Sequence, residues 1–437
     1  MEALVVDLTH GGVTIALALR EHCRKVFAWD IYNSLNEENK KILTEEGIKL
    51  VNRIPESDNL RIIAPIHCPL NLKVDYTHHE IVKFLLSKDE KLAKTPIIEV
   101  TGVKGKTSVV WMLKEILGEK NLLILSSLGV FLSTKKLKEN ISITPASIIE
   151  AVELARGLDY QACIFETSLG GTGLADVGIL TNIIEDYPIR GGKEKASKAK
   201  SQIFKSKITC CEHTAYKEYY NQFKNVNTFS IREKDANIYP TDIDYGLEKT
   251  RLKVHVNGLK TITDREYNTI FTVESFAPGP HYLLNLLAAV SAALTLNISI
   301  KRIREGLRNF KGVRGRSSRR HVDGKIIIEE INPGINSEAI KYTLKMAQNF
   351  NTPIIILGGD YGITCEEIDE DKTASILEDF TGKIILTGEL GKNIQKKLQK
   401  KIPYIKKRED ALKYALSTAR KHIILIYRSE YSKIQER

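Results

Sequence analysis

The segment Thr101-Gly102-Val103-Lys104-Gly105-Lys106-Thr107-Ser108 packs two glycines, two lysines and three hydroxyls into eight residues. It follows the apolar run Ile97-Ile98-Glu99-Val100 and precedes a stretch with apolar residues at 109, 112, 113 and 116, so it sits at a strand-to-helix turn. Backbone N–H groups of such a turn point at phosphate oxygens, the lysine neutralises their charge, and the Thr107 hydroxyl can ligate magnesium. The first glycine of the usual GxxxxGKT pattern would fall at position 100, where Val100 stands, so the loop is a shortened form. The expected chemistry is capture of a nucleotide's phosphate chain by residues 101–108. A second segment, Ala162-Cys163-Ile164-Phe165-Glu166-Thr167-Ser168, reads as a buried strand with a carboxylate at its C-terminal end. Ligands of open α/β sheets lie outside those strand ends, so Glu166 is a candidate magnesium ligand opposite Thr107.

These residues need a scaffold of alternating strands and helices, and the chain supplies one. Residues 3–8, Gly11-Gly12, a helical pattern over 13–21 and Lys25-Val26-Phe27-Ala28-Trp29-Asp30 form strand, glycine turn, helix and strand, as in half of a Rossmann unit. GxGxxG is missing, so a plain α/β layer is favoured over dinucleotide binding. Further strands at 48–51 and 61–64 complete a small parallel sheet, and polar Ser87-Lys88-Asp89-Glu90-Lys91 reads as a linker. From 97 to 210, strands at 122–126, 162–166 and 179–183 alternate with helical stretches, which implies a parallel sheet. Residues 226–276 alternate instead, with a hairpin expected to turn tightly at Asn257-Gly258. Apolar helices follow at 282–296 and 300–310, then the glycine and arginine segment 312–320 reads as a boundary. Strands at 325–330, 353–358, 383–387 and 422–427 make the last part α/β again.

Size and composition bound the rest. A chain of 437 residues exceeds the roughly 250 to 300 at which one core stops growing, and three domains are expected, at 1–90, 91–312 and 313–437. Hydrophobic residues make up 42% and charged residues 27%, and no apolar run approaches the ~20 residues that cross a bilayer, so a soluble protein with no membrane partner is expected. The start Met1-Glu2-Ala3-Leu4-Val5-Val6-Asp7 carries no basic region before its apolar run, which points to the cytoplasm. Six cysteines at 23, 68, 163, 210, 211 and 365 show neither CxxC nor zinc spacing, so no disulfide framework is implied. The formal charge of +11 comes with no nucleic-acid motif and suits solvated helix faces or an anionic small molecule, not nucleic acid.

A run of weaker motifs then falls in one order: TGVKGKTS at 101–108, SITP at 142–145, FETS at 165–168, LTNIIEDY at 180–187, AK at 199–200, PGPHYLLNLLAA at 278–289 and GVRGR at 312–316. Together they resemble the Mur ligase family over residues 95–437. The resemblance implies an α/β, three-domain architecture: a Rossmann-like N-terminal substrate domain, a central P-loop ATPase domain and a Rossmann-like C-terminal domain that closes over ATP. ATP and Mg2+ would be the cofactors. By the same matching, Lys106 and Thr107 serve phosphate and magnesium, and Lys200 falls where the family carries a carbamate on lysine. Asn182, His281, Asn285 and Arg316 take nucleotide-side positions. Tyr187 stands where the family usually has a metal-binding histidine, which leaves a second magnesium without its ligand.

The patterns VVDLTHGG at 5–12, EEINPGIN at 329–336 and GGDYGITCEEID at 358–369 resemble an archaeal branch of that family acting on a nickel tetrapyrrole. That likeness implies a substrate propionate phosphorylated by ATP and attacked by a ring carbon to close a six-membered carbocycle. His10, Gly11, Gly12 and His67 are then candidate substrate contacts, with Cys68, His78 and His79 as further neighbours of the macrocycle, although each reads singly as an ordinary surface or core residue. Two other functions share the phosphate loop: an amide ligase for pseudomurein or peptidoglycan peptides, and a P-loop protein using ATP as a binding switch. A monomer or homodimer is expected.

Overall fold

The computed structural model describes residues 1–429 apart from 72, 119, 315, 333, 349, 351–352 and 363–367. Cys365 and part of the 358–369 pattern therefore lie outside the described residues. Contacts divide the chain into two compact units, one of Met1–Asp242, Leu252–Val273 and Leu283–Leu307, the other of Ile243–Arg251, Glu274–Tyr282 and Arg308–Arg437. Three principal sheets carry the architecture, and their α/β layering is the one expected from the alternating strand and helix patterns.

The N-terminal sheet runs in the order Lys49–Leu50, Lys25–Trp29, Glu2–Val6, Leu60–Ala64, Tyr76–Thr77, with every pair parallel. This 3-2-1-4-5 order is the Rossmann order, although the glycine fingerprint is missing. Leu8, Ile15 and Leu19 from its first helical segment and Ile81 and Val82 from the helix His78–Leu86 share one core with Ile148, Ala151 and Val152 of the helix Ala146–Leu154. That shared apolar face ties the N-terminal sheet to the central one. The helix His78–Leu86 starts cleanly because Thr77 and Glu80 cap each other reciprocally.

The central sheet has eleven strands. At its middle stand Val177–Leu180, Ile97–Thr101, Ala162–Glu166 and Leu122–Ser126, in that order. All four are fully buried, as strands covered by helices on both faces must be, which explains their unbroken apolar runs. Register sets Val100 beside Glu166 and Thr101 beside Leu180, so the carboxylate and the phosphate loop leave the same edge of the sheet.

The hairpin expected to turn at Asn257-Gly258 does not turn there. Those residues lie inside the strand Thr250–Lys260, and the chain reverses over 261–265 before the strand Glu266–Ser275. Side-chain amides take up the irregularity at Gly258 (φ 58°): Asn237 Nδ2 donates to the carbonyls of Asn257 and Gly258, and Asn268 Oδ1 accepts from the Gly258 N–H. The reversal is held instead by Thr261, whose N–H donates to the Arg265 carbonyl and whose hydroxyl accepts from the Arg265 N–H.

In the second unit the sheet order is Ser317–Val322, Lys325–Ile331, His422–Arg428, Ile354–Gly359, Lys383–Thr387, Tyr404–Ile405, parallel except for the first strand. Arg319 and Arg320, which the glycine and arginine composition marked as a boundary, lie within that first strand. Among the described residues no helix is long and apolar enough to cross a membrane.

Candidate functional site

The strand Ile97–Thr101 ends in a turn and restarts as the helix Lys106–Leu117. Gly105 caps that helix at φ 87°, and a Cβ there would fall 2.1 Å from Asn285 Oδ1, so the position needs glycine for both backbone and space. The turn is pinned from the neighbouring strand end. Val103 N–H donates to the Asn182 carbonyl (3.1 Å), Lys104 N–H to Asn182 Oδ1 (3.2 Å), and the Lys104 carbonyl accepts from Thr181 Oγ1 (2.6 Å) and Asn182 Nδ2 (3.0 Å). Asn182 thus shapes the loop, and Asn285, 6% exposed, closes on it from the helix Pro280–Thr295. The eight residues 101–108 are brought together as the motif requires.

Thr107 opens the helix, and its Oγ1 donates to Glu166 Oε1 at 3.0 Å. Ser127 Oγ lies 3.0 Å from the same Thr107 oxygen, and Ser127 N–H donates to Glu166 Oε2 at 3.0 Å. Glu166 is 2% exposed, so its carboxylate is aimed by these partners and not by solvent. Three convergent oxygens at a helix N-terminus, one of them a carboxylate, match the hard donors magnesium prefers.

Lys200 lies on a short helix, Ala196–Lys200, whose lysines suggest a wet face; instead Lys200 is 1% exposed. Asp186 caps that helix, accepting from the N–H and hydroxyl of Ser197 at 2.7 Å each. Lys200 Nζ donates to the Gly102 carbonyl at 3.1 Å and sits 5.9 Å from the Tyr187 ring centroid. Burial, with the Lys106 charge beside it, pushes its amine down to about 7. Lys106 Nζ donates to the same Gly102 carbonyl at 3.2 Å. Tyr187 presents its ring to Lys200.

His281 and Arg316 belong to the second unit, where His281 is exposed and Arg316 half-buried. Beside them Tyr282 donates to Glu330, and Ser317 Oγ donates to Glu330 Oε2 at 2.6 Å.

The remaining candidates gather at the end of the strand Glu2–Val6. His10 Nδ1 stands 2.7 Å from Asp7 Oδ2 and His67 Nε2 3.7 Å from the same oxygen, while the two imidazoles meet edge to face at 4.6 Å. Gly11 and Gly12 form the backbone of this turn. Cys68 is buried beside it and raised by burial. His78 and His79 are buried in the helix below, and burial lowers them to about 4 and about 3. The composition gave no warning of Asp7, Ser127 or Thr181; only the position of each one at or just past the C-terminal end of a strand could have marked it. The five described cysteines are free thiols.

Comparison with known proteins fits this geometry. Residues 100–293 match the Mur ligase middle domain, and residues 319–430 match the family described as coenzyme F430 synthetase CfbE, C-terminal domain. The coenzyme F(430) synthetase of Methanocaldococcus jannaschii is 30% identical over 408 residues, covering 90% of this chain and 91% of that protein. The enzyme of the same name from Methanosarcina acetivorans is 30% identical over 431 residues, covering 88% and 89%. The fold also superposes on MurF ligase from Thermotoga maritima in complex with ADP, with a TM-score of 0.59 at 15% identity, over 94% of this chain and 93% of that one. The chain belongs to the coenzyme F(430) synthetase family of Mur-type, ATP-dependent ligases.

Proposed function

We propose that this enzyme activates a propionate of the nickel tetrapyrrole seco-F(430) as an acyl phosphate and closes a carbocycle on it, yielding coenzyme F(430), ADP and phosphate. The observation that carries the reading is the pairing of Thr107 with Glu166 at the mouth of a loop where Lys106 and Lys200 share one carbonyl. In this reading the N–H groups of residues 102–107 and Lys106 grip the phosphate chain, and Asn182 and Asn285 hold the loop in shape. Thr107 and Glu166 would hold magnesium, which would supply charge withdrawal from the phosphoryl group in transfer. Lys200, whose amine is lowered to about 7, would take up carbon dioxide as a carbamate. Little covalent work falls to the protein; positioning and electrostatic stabilisation supply the rate.

Residues 1–90 would bind the tetrapyrrole, 91–312 the nucleotide, and 313–437 complete the enzyme. His10, Gly11, Gly12 and His67 are the substrate-side group. A basic chain suits a substrate bearing several carboxylates, and reduced thiols suit the cytoplasm.

The test is incubation with ATP, magnesium and candidate carboxylates, reading phosphate and product mass. Phosphate released with the nickel tetrapyrrole, together with a product lighter by one water, is expected. Release only with a nucleotide-linked peptide and an amino acid would make the enzyme an amide ligase. Lys106→Ala should abolish turnover while leaving the fold intact; normal turnover in that variant would remove the P-loop from the account.

A further inference from the structure

Asp7 holds a backbone conformation that residues with side chains seldom adopt (φ 71°, ψ 88°), and its carboxylate is fully buried. Its Oδ1 accepts from the N–H groups of Thr9 (3.1 Å) and His10 (3.2 Å), which leaves Oδ2 for the His10 ring nitrogen Nδ1 at 2.7 Å. With Nδ1–H fixed on the carboxylate, Nε2 on the far side of the ring is the basic atom, and the His10 side chain is 40% exposed. His67 and Tyr32 stand edge-on to that ring at 4.6 and 5.7 Å.

This pairing sits at the C-terminal end of the first strand of a Rossmann-order sheet, where such sheets bind their ligands. It is also tied to the phosphate site. Gly11 packs so closely that a Cβ would come within 2.5 Å of Ala146 Cβ and 2.9 Å of Thr144 Oγ1. The adjoining Ile143 carbonyl accepts from Ser168 N–H at 2.8 Å, two residues past Glu166. The turn bearing His10, the 142–145 turn and the end of the Glu166 strand are therefore one connected surface within the first unit.

An amine attacks with a lone pair, whereas a carbon that attacks with the electron pair of its C–H bond needs a base to accept that proton. We propose that His10 is the general base of ring closure, its Nε2 taking the proton from the substrate carbon that becomes the nucleophile, with Asp7 as its positioning residue. The proposal rests on the carboxylate-activation reading above. The electron pair of the broken C–H bond forms the new C–C bond at the acyl carbon. The C–O bond to phosphate breaks, phosphate leaves with the electron pair of that C–O bond, and the His10 imidazolium returns its proton to solvent. The surroundings suit a base: the hydrogen bond that His10 donates to the Asp7 carboxylate raises His10 above its ordinary value despite partial burial. Burial, with the His10 charge beside it, lowers His67, and among the described residues Tyr32, Cys68 and His78 also face the pair.

The test uses the full chain with ATP, magnesium, the nickel tetrapyrrole and hydroxylamine, which traps an acyl phosphate as a hydroxamate. The readout is the ratio of ring-closed product to hydroxamate, for wild type, His10→Gln and Asp7→Asn. Asparagine tolerates the left-handed backbone at position 7, so that variant keeps the turn even where His10→Gln disturbs it. Loss of a general base predicts that the ratio falls by about 100-fold or more in His10→Gln and by less in Asp7→Asn, where the imidazole loses its orientation. It also predicts that the acidic limb of the wild-type ratio against pH disappears in His10→Gln. A ratio unchanged in both variants, whatever their overall rate, would overturn the assignment and leave His10 a binding residue. No hydroxamate from wild type would instead sink the activation reading, and the base with it.

Discussion

Lys106 and Lys200 bring their side-chain nitrogens to one acceptor, the carbonyl oxygen of Gly102, at 3.2 and 3.1 Å. Burial first, and then the Lys106 charge beside it, holds Lys200 near 7 against an ordinary value of 10.5. A neutral amine in the pocket can take up carbon dioxide; a protonated one cannot.

Turnover should therefore depend on dissolved carbon dioxide and fall as pH drops below about 7. Lys200→Arg, which cannot lose its proton, should be inactive. Rates measured in bicarbonate-supplemented and carbon-dioxide-free buffer check this, and indifference to carbon dioxide would remove the carbamate. The same shift bears on stability. Between pH 7 and 10.5 the unfolded chain binds more protons at this lysine than the folded one, so its contribution becomes more favourable as pH rises through that window.

Glu166 and Thr107 are expected to act through magnesium. Glu166→Gln keeps a side chain of the same shape that can still accept the Thr107 hydroxyl, so the fold should survive. The magnesium concentration for half-maximal turnover should rise by about 10- to 100-fold or more, and that titration is the measurement. An unchanged magnesium requirement would place the ion elsewhere.

Gly105→Ala forces a side chain into a left-handed backbone and against Asn285 Oδ1. The strain should cost about 1–3 kcal/mol of stability, and nucleotide affinity should fall further because the turn must shift to relieve it. Thermal melting and equilibrium ATP binding separate the two effects. Asn285→Ala combined with Gly105→Ala should recover part of the stability loss.

Glu99 supplies a different pH signature. It is fully buried in the strand that leads into the phosphate loop, and burial raises its carboxyl from 4.5 to about 7 against the N–H groups of Thr172 and Gly173. The folded state thus holds its proton more tightly than the unfolded state between those values. Its contribution is fully present below 4.5 and is lost as pH rises through 7. Glu99→Gln should flatten that decline; melting temperatures at pH 5 and pH 8 for both proteins would show it, and equal slopes would contradict it.

Much of this arrangement was legible in the sequence because it is local. Residues 97–117 carry strand, glycine turn and helix in one run, and Glu166 ends an apolar strand whose neighbours leave no other edge for it. What escaped depends on tertiary placement. Lys200 reads as solvated because lysines flank it on a short helix, yet its Nζ meets the Gly102 carbonyl, 98 residues away in sequence. The meeting of His67 with Asp7 requires the strand order of the N-terminal sheet, which a missing glycine fingerprint obscured. Asn257-Gly258 carries a turn signature, yet side-chain amides of Asn237 and Asn268 hold it inside a strand. Short-range propensity lost there to hydrogen bonds from neighbouring strands.

The central claim, that a substrate carboxylate oxygen attacks ATP and later leaves with phosphate, is tested most directly by isotope transfer. The nickel tetrapyrrole labelled with 18O in its propionate is turned over with ATP and magnesium, and the released phosphate is weighed by mass spectrometry. One 18O atom per phosphate is expected; phosphate that carries none, alongside normal product, would contradict the account.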